Sequence, residues 1–320
     1  MAHITFIIGN GLDLSLGMKT SYGDFYEYVK TNRLHIENRI YKAIQDSPEN
    51  WADFELSLGQ YTKYIDNYPE KDKKSESIKF HEELEELKDD LAYYLDEQEK
   101  SSAQGDGLRL GYGGFYEELP VGQSDRIKNQ LMQGPTVFQF ISLNYTHSLE
   151  KILSNSSVPL SNRRIGIGST LHVHGDLSEN LTLGVSDESQ LSESMSGSEK
   201  DDLIKPSLIY SMNDGRIDAM NQLIQNSSVL VLFGSSIGET DKYIWEILVD
   251  WLFKSSNTYV VIHKFDDSYN DNVRRSSRRQ KQFTSSVQDK LLRYSGLDGN
   301  GIAEIKNRVF VVHNTKKMFS

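Results

Sequence analysis

The chain has 320 residues, a length that suits one large α/β domain or two smaller ones. Hydrophobic residues make up 37% of it. Its 46 acidic residues outnumber 35 lysines and arginines, and the formal charge of −11 argues against nonspecific binding to duplex nucleic acid. The absence of cysteine excludes disulfides, a thiol nucleophile and cysteine-based zinc sites. Apolar runs are too short for a signal peptide or membrane span, so we expect a cytoplasmic protein without membrane contacts.

The first predicted elements are a strand followed by helices. Residues 4–8 form a short β-branched run that stops at Gly9, which is typical of a buried parallel strand entering a turn. Residues 24–45 are predicted to form one helix with Asp24 as its N-cap. A further helix is predicted over residues 51–65.

A highly charged segment over residues 66–100 carries one apolar stripe. The apolar residues recur every three or four positions, which predicts a long amphipathic helix. They are Phe80, Leu84, Leu87, Leu91 and Leu95. We interpret this helix as packed on the domain surface rather than as a partner-binding helix.

The rest of the chain alternates apolar runs with polar stretches. Buried strands are predicted by runs at 137–143, 171–173, 229–233, 259–263 and 309–312. Residues 101–114 are rich in glycine and serine and are predicted to form a loop. Residues 186–202 are polar and of low complexity, which favours a mobile loop. A helix is predicted after Asp241.

This alternation predicts an α/β fold, with a Rossmann-like, doubly wound and mostly parallel sheet. We expect one discontinuous domain. Its core would comprise about residues 1–24, 130–175 and 226–320, and residues 25–129 would form a helical insertion.

A glycine-rich turn follows the first strand. Gly9-Asn10-Gly11 would let backbone N–H groups approach a phosphate at a helix N-terminus, or would simply form a tight turn. The third glycine of the dinucleotide fingerprint is missing, since Leu14 stands there. Asp13 is interpreted as a helix-capping residue or as a ligand for a ribose hydroxyl.

Asparagine and histidine follow two further strands. Asn144 has a donor and an acceptor suited to a ribose hydroxyl or a water, but it is equally typical of a turn. His174 precedes Gly175 at a strand end, where it is either a general base or a structural histidine. His172 adds a second imidazole, but no further ligands are apparent, so no metal site is predicted.

A second turn, Gly234-Ser235-Ser236, follows the most apolar strand and suits a phosphate or ribose contact. Asp241 would cap the next helix or face the site, and His263 would contact an adenosine ribose. A basic run follows at residues 274–281. We interpret it as a solvated face rather than as a nucleic-acid contact.

Taken in order, these motifs resemble the AbiH family, which is associated with abortive infection of bacteria by phage. The matching segments are Ile8-Gly9-Asn10-Gly11-Leu12-Asp13-Leu14, Lys19-Thr20-Ser21-Tyr22-Gly23-Asp24-Phe25, Trp51-Ala52-Asp53-Phe54-Glu55, Asn144-Tyr145-Thr146-His147-Ser148-Leu149-Glu150, His172-Val173-His174-Gly175, Leu183-Gly184-Val185-Ser186-Asp187, and Gly234-Ser235-Ser236-Ile237-Gly238 with Asp241. The family usually has Phe at the position of Leu12 and often His at that of Ser235.

The resemblance implies a nucleotide-binding core similar to that of sirtuins. In such a core the turn at residues 9–11 would cradle the phosphates of NAD⁺, Asn144 would place the ribose and a water, and His174 would be the catalytic base. Gly234 and Ser236 match the second nucleotide-contacting turn. The zinc module of sirtuins is missing with its cysteines, which argues against a protein deacylase.

The leading hypothesis is therefore an anti-phage effector that hydrolyses NAD⁺ to nicotinamide and ADP-ribose, with no metal. The alternative is a non-catalytic nucleotide-binding sensor of a phage-defence system. A nuclease-type effector has less support, because no carboxylate cluster has metal-ligand spacing. The expected partners are a small-molecule nucleotide and either a second copy of the chain or a companion defence protein.

Overall fold

The computed structural model describes residues 1–32, 37–45, 53–102, 110–156, 165–212, 215–314 and 318–319. Trp51 and the start of the helix predicted at residues 51–65 lie outside these ranges, as do residues 103–109 of the loop predicted at residues 101–114.

The centre of the molecule is a single parallel sheet. Its strands are β1 (Ala2–Ile8), β2 (Thr136–Ser142), β3 (Ile165–His172), β4 (Val229–Phe233), β5 (Tyr259–Lys264) and β6 (Val309–His313). They lie in the order β3-β2-β1-β4-β5-β6, and each neighbouring pair is parallel. This is a strand order of doubly wound dinucleotide-binding folds, and the predicted α/β fold class is confirmed.

The described residues contain fourteen α-helices. They are α1 (Gly11–Ser15), α2 (Tyr22–Asn32), α3 (Arg39–Gln45), α4 (Phe54–Tyr61), α5 (Glu70–Ser101), α6 (Val121–Met132), α7 (Ser148–Asn155), α8 (Gly197–Asp201), α9 (Lys205–Ser211), α10 (Arg216–Gln225), α11 (Lys242–Lys254), α12 (Asp271–Arg274), α13 (Ser277–Leu292) and α14 (Gly299–Lys306). Within the described ranges, none of these helices combines the length and apolar character that crossing a membrane requires.

The sheet is buried on both faces. Successive β1 side chains alternate between the faces, so that Ile7 joins one core and Phe6 and Ile8 join the other. Trp245 of α11 packs in the first core, and Phe115 packs in the second. This double burial explains why the strands read as continuous apolar runs.

A third core lies among the helices that follow β1. The predicted stripe of α5 is confirmed, because all five of its apolar side chains are buried there. Leu183, Val185 and Leu203, which follow β3, join the same core. Two segments that are distant in sequence are therefore packed as one unit beside the sheet.

The helix predicted over residues 24–45 is wrong in two respects. It consists of two helices, because Asn38 Oδ1 accepts the Ile40 N–H at 2.9 Å and so begins a new helix. Asp24 is not the N-cap of the first helix. The Ser21 hydroxyl accepts the Asp24 N–H at 3.1 Å, while Asp24 Oδ2 accepts the Ser21 N–H at 3.3 Å, which is a capping box.

The polar segment at residues 186–202 contains regular structure where a loop is predicted from composition. Asp187 begins a 3-10 turn and Ser196 begins α8, each through a capping box. Leu191 and Met195 are buried in the third core. The polar residues of this segment thus include the N-caps of its two short helical elements.

Candidate functional site

A cavity of about 1050 Å³ opens at the carboxyl ends of the strands. It lies beside the point between β1 and β4 where the strand order reverses, which is where doubly wound sheets bind ligands. All eleven site residues predicted from sequence line it, and their roles stay predictions. They are Gly9, Asn10, Gly11, Asp13, Asn144, His174, Gly234, Ser235, Ser236, Asp241 and His263.

The two glycine turns pack directly against each other. The Gly9 N–H donates to the Phe233 carbonyl at 2.9 Å, and the Gly11 N–H donates to the Gly234 carbonyl at 2.8 Å. A Cβ on Gly11 would lie 2.4 Å from Gly234 Cα, and Gly234 has a φ of +70°. The glycines therefore permit turn-to-turn contact. These two N–H groups thus bind the end of β4 and the turn after it, and the phosphate contact predicted for residues 9–11 stays a prediction.

Asn10 and Asp13 also have partners within the protein. The Asn10 amide donates to the Thr20 carbonyl at 2.9 Å and accepts the Thr20 hydroxyl at 2.7 Å. Asn10, rather than Asp13, is the N-cap position of α1. Asp13 Oδ2 accepts the Thr146 hydroxyl at 2.6 Å, and burial raises the pKa of Asp13.

Asn144 lines the cavity and has a buried side-chain oxygen without a partner among the described residues. It is 6% exposed, and its Oδ1 has no hydrogen-bond partner in the described part of the chain. Its backbone is fixed, because His172 Nδ1 donates to its carbonyl at 2.9 Å while Glu150 lies 2.8 Å from His172 Nε2. A buried amide oxygen without a hydrogen-bond partner lowers the stability of the fold unless a ligand donates a hydrogen bond to it.

His174 is the most buried histidine of the cavity wall, with 3% of its surface exposed. Its Nε2 lies 3.1 Å from the Tyr243 hydroxyl and 3.3 Å from Asp241 Oδ1. Burial, together with the positive charge of Lys205, lowers the pKa of His174 to about 4. The imidazole is therefore neutral at physiological pH.

An ion cluster that the sequence did not reveal lies beside His174. Lys205 Nζ is 2.6 Å from Glu55 Oε2 and 2.8 Å from Asp241 Oδ1, and the lysine is only 1% exposed. Burial raises the pKa of Glu55 to about 7, with Lys205 opposing the shift. Burial would also raise the pKa of Asp241, but the charge of Lys205 lowers it. The ammonium group of Lys205 thus forms ion pairs with two carboxylates of the cavity wall.

Three separate elements bring this cluster together. Glu55 lies in the first turn of α4, whose N-cap Asp53 accepts the Leu56 N–H at 3.4 Å. Lys205 begins α9 and is fixed by its N–H, which donates to the Val185 carbonyl at 2.8 Å. Asp241 directly precedes α11. Glu55 belonged to a recognised motif, whereas no sequence signal marked Lys205.

The second turn and the strand after it have mixed roles. Ser235 Oγ accepts the Ile237 N–H at 3.2 Å, which stabilises the turn. His263 Nε2 donates to the Phe115 carbonyl at 3.1 Å, and burial lowers the pKa of His263 to about 4. Nε2 is thus engaged by the protein, and the ribose contact expected of His263 stays a prediction. Lys264 follows it at the cavity wall.

The basic run lies on α12 and α13, apart from the cavity. Its members Arg274, Arg275, Arg278, Arg279 and Lys281 are exposed. Among the residues that the structure describes, none of these five lines the cavity. Within the same residues, no group of three or more histidine and acidic side chains is placed to hold a metal ion.

Comparison with known proteins places the chain in a family. A search of curated proteins gives no match. The model of the family described as "Bacteriophage abortive infection AbiH" matches residues 5–263. The match runs from β1 to β5 and includes every predicted site residue as well as Glu55 and Lys205. Because it covers most of the chain, the protein belongs to the AbiH family of bacteriophage abortive infection proteins.

Proposed function

We propose that this protein is an effector of phage abortive infection that hydrolyses NAD⁺ to nicotinamide and ADP-ribose. The family supports the role in abortive infection. The strand order and the position of the cavity at the switch point support a nucleotide ligand. The resemblance of the motifs to a sirtuin-like core supports NAD⁺ as that nucleotide.

One observation carries the proposal, namely the unpaired Oδ1 of Asn144 at the same cavity as the neutral, buried His174. Asn144 would hold the ribose or the attacking water in a reactive position. His174 would accept a proton from a ribose hydroxyl or from that water, which an imidazolium could not do. Both residues follow sheet strands and are held by backbone contacts.

The charge of the cavity suits departure of nicotinamide, which leaves the positive charge on the ribose. Five carboxylates and two lysines line it, and these are Asp13, Asp53, Glu55, Asp241, Asp267, Lys205 and Lys264. Departure of nicotinamide leaves an oxocarbenium-like ribose, and nearby carboxylates stabilise that positive charge. The diphosphate would lie near Lys264 and the turn at residues 234–236.

The test is NAD⁺ hydrolysis by the purified wild-type protein and by His174→Ala. His3→Ala is the matched control, because His3 lies at the amino end of β1, opposite the cavity. Loss of the histidine should lower the rate about 10²–10⁴-fold, with nicotinamide and ADP-ribose formed in equal amounts by the wild type. A folded His174→Ala protein with the wild-type rate would remove His174 from the mechanism.

A non-catalytic sensor gives a different result. Titration calorimetry would show NAD⁺ binding, while no nicotinamide would appear in the same cell. In bacteria, wild-type protection against phage with steady NAD⁺ levels would argue for the sensor or for another substrate. A fall in NAD⁺ that requires His174 would support the hydrolase.

A further inference from the structure

Hydrolysis of NAD⁺ releases one proton, so the cavity needs a group that receives it. This inference rests on the proposed function and concerns the proton of the attacking water. Of the cavity-wall groups that could receive it, His174 and Glu55 both adjoin the Lys205–Asp241 ion pair. The contacts that each side chain makes within the protein indicate which of the two receives the proton.

His174 has few contacts left for a water molecule. Its Nε2 lies within 3.3 Å of both the Tyr243 hydroxyl and the Asp241 carboxylate, and the ring also hydrogen-bonds the Leu143 backbone. The positive charge of Lys205 opposes formation of an imidazolium there. His174 is therefore suited to act on a ribose hydroxyl rather than to receive the proton of the attacking water.

Glu55 is held in the cavity wall by a direct ion pair. Its Oε2 is held 2.6 Å from Lys205 Nζ, and Lys205 is held in turn by Asp241 at 2.8 Å. Asp241 also contacts His174 at 3.3 Å, so one continuous chain of contacts links the carboxylate to the imidazole. Lys205 is 1% exposed, so its contacts with Glu55 and Asp241 are buried ion pairs rather than surface ion pairs.

We infer that Glu55 receives the proton of the attacking water, and that Lys205 is the positioning residue that holds the Glu55 carboxylate in the cavity. The bond between ribose C1′ and the nicotinamide nitrogen breaks, and its electron pair neutralises the pyridinium ring. The water oxygen bonds to C1′, and one water proton moves to the Glu55 carboxylate. The proton then passes to solvent.

Titration of Glu55 suits this role. Burial raises its pKa to about 7, Lys205 lowers it and Asp241 raises it. The ionisable groups facing it are Lys205, Asp241, Asp53, Tyr22, Tyr145 and Tyr243. A base works best when its pKa is near the working pH. Because only the carboxylate can accept a proton, the rate should rise as pH increases through about 7.

The first test compares Glu55→Gln with Glu304→Gln, an exposed position on α14, in the purified full chain. The ratio kcat/KM for NAD⁺ is measured from pH 5 to pH 9. We expect Glu55→Gln to lose about 10²–10⁴-fold at high pH and to lose the inflection near neutral pH. Glu304→Gln should keep both. Glu55→Asp retains the charge one methylene farther back and should show an intermediate loss.

A second measurement needs no activity. Glutamate labelled with ¹³C at the side-chain carboxyl should show one resonance that titrates near neutral pH, absent in Glu55→Gln. An active wild type with a fully active Glu55→Gln protein would overturn the inference while the proposed function stands. Titration of Glu55 only at acidic pH would overturn it as well. A wild-type protein that binds but does not hydrolyse NAD⁺ would end the proposed function and this role together.

Discussion

Lys205 Nζ lies 2.6 Å from Glu55 Oε2, although 150 residues separate the two along the chain. The contact joins α9 to the first turn of α4 and, through Asp241, to the start of α11. Removing charges from water is costly, so such a cluster is tolerated only when each charge has its partner. The ion cluster therefore ties the helical layer to the sheet at the cavity.

Loss of Lys205 should be strongly destabilising. Lys205→Met leaves Glu55 and Asp241 without their cation, and we expect the free energy of unfolding to fall by about 3–5 kcal/mol. Urea denaturation measures the change. The double variant with Glu55→Gln should be less destabilised than the sum of the single variants, because the two side chains interact directly.

A surface lysine provides the matched control. Lys254 pairs with Asp250 at 2.7 Å, but its side chain is 67% exposed. Lys254→Met should cost less than about 1 kcal/mol. Similar losses for Lys254→Met and Lys205→Met would contradict the importance assigned to the buried cluster.

Alanine at Gly11 should disturb the contact between the two glycine turns. Its Cβ would lie 2.4 Å from Gly234 Cα, and backbone cannot yield as a flexible side chain can. We expect Gly11→Ala to lose about 1–3 kcal/mol of stability. Gly122→Ala, in α6, is the control, since nothing lies within 4 Å of its added Cβ. Equal melting temperatures for the two variants would count against close turn packing.

Two asparagines of the cavity should respond differently to alanine. Asn144 has an unpaired Oδ1, so Asn144→Ala should keep wild-type stability while NAD⁺ hydrolysis falls by about two orders of magnitude. Asn10 makes two hydrogen bonds to Thr20, and Asn10→Ala should lower the melting temperature. Thermal unfolding and a nicotinamide assay on both variants check this contrast. A large loss of stability in Asn144→Ala would point to a structural role.

Acid should destabilise the protein through its buried histidines. Burial lowers the pKa of His174 and His263 from 6.5 to about 4, so the unfolded chain binds their protons first as pH falls. The stabilisation from neutral burial is complete above pH 6.5 and is lost as pH falls toward 4. The loss is at most about 3 kcal/mol per histidine.

Glu55 acts in the opposite direction between pH 4.5 and 7, because its folded form binds a proton more readily than its unfolded form. Protonation of Glu55 therefore offsets part of the stability that the two histidines lose as the pH falls. Urea unfolding across pH 4–8 should show a shallower decline in His263→Leu than in the wild type. The same decline in both proteins would mean that His263 does not titrate as its burial implies.

Several features could be predicted from local sequence. Apolar runs are typical of buried parallel strands, and the stripe of α5 has helical spacing, because both patterns follow backbone geometry. Parallel strands end at one edge of the sheet, so the motifs after β1, β2, β3 and β4 could be expected to meet there. The cavity contains Asn144 and His174 for this reason.

Only the tertiary structure decided which polar groups pair with one another. Lys205 has no local signal, since its contact with Glu55 depends on how α4 and the residues just before α9 pack in the third core. Likewise, the sequence does not show that the N–H groups of Gly9 and Gly11 donate to the carbonyls of Phe233 and Gly234, because these contacts depend on the close approach of the two turns. Periodicity determines which face of an element is apolar. Charge pairing is determined by distances between segments that fold together from far apart in the chain.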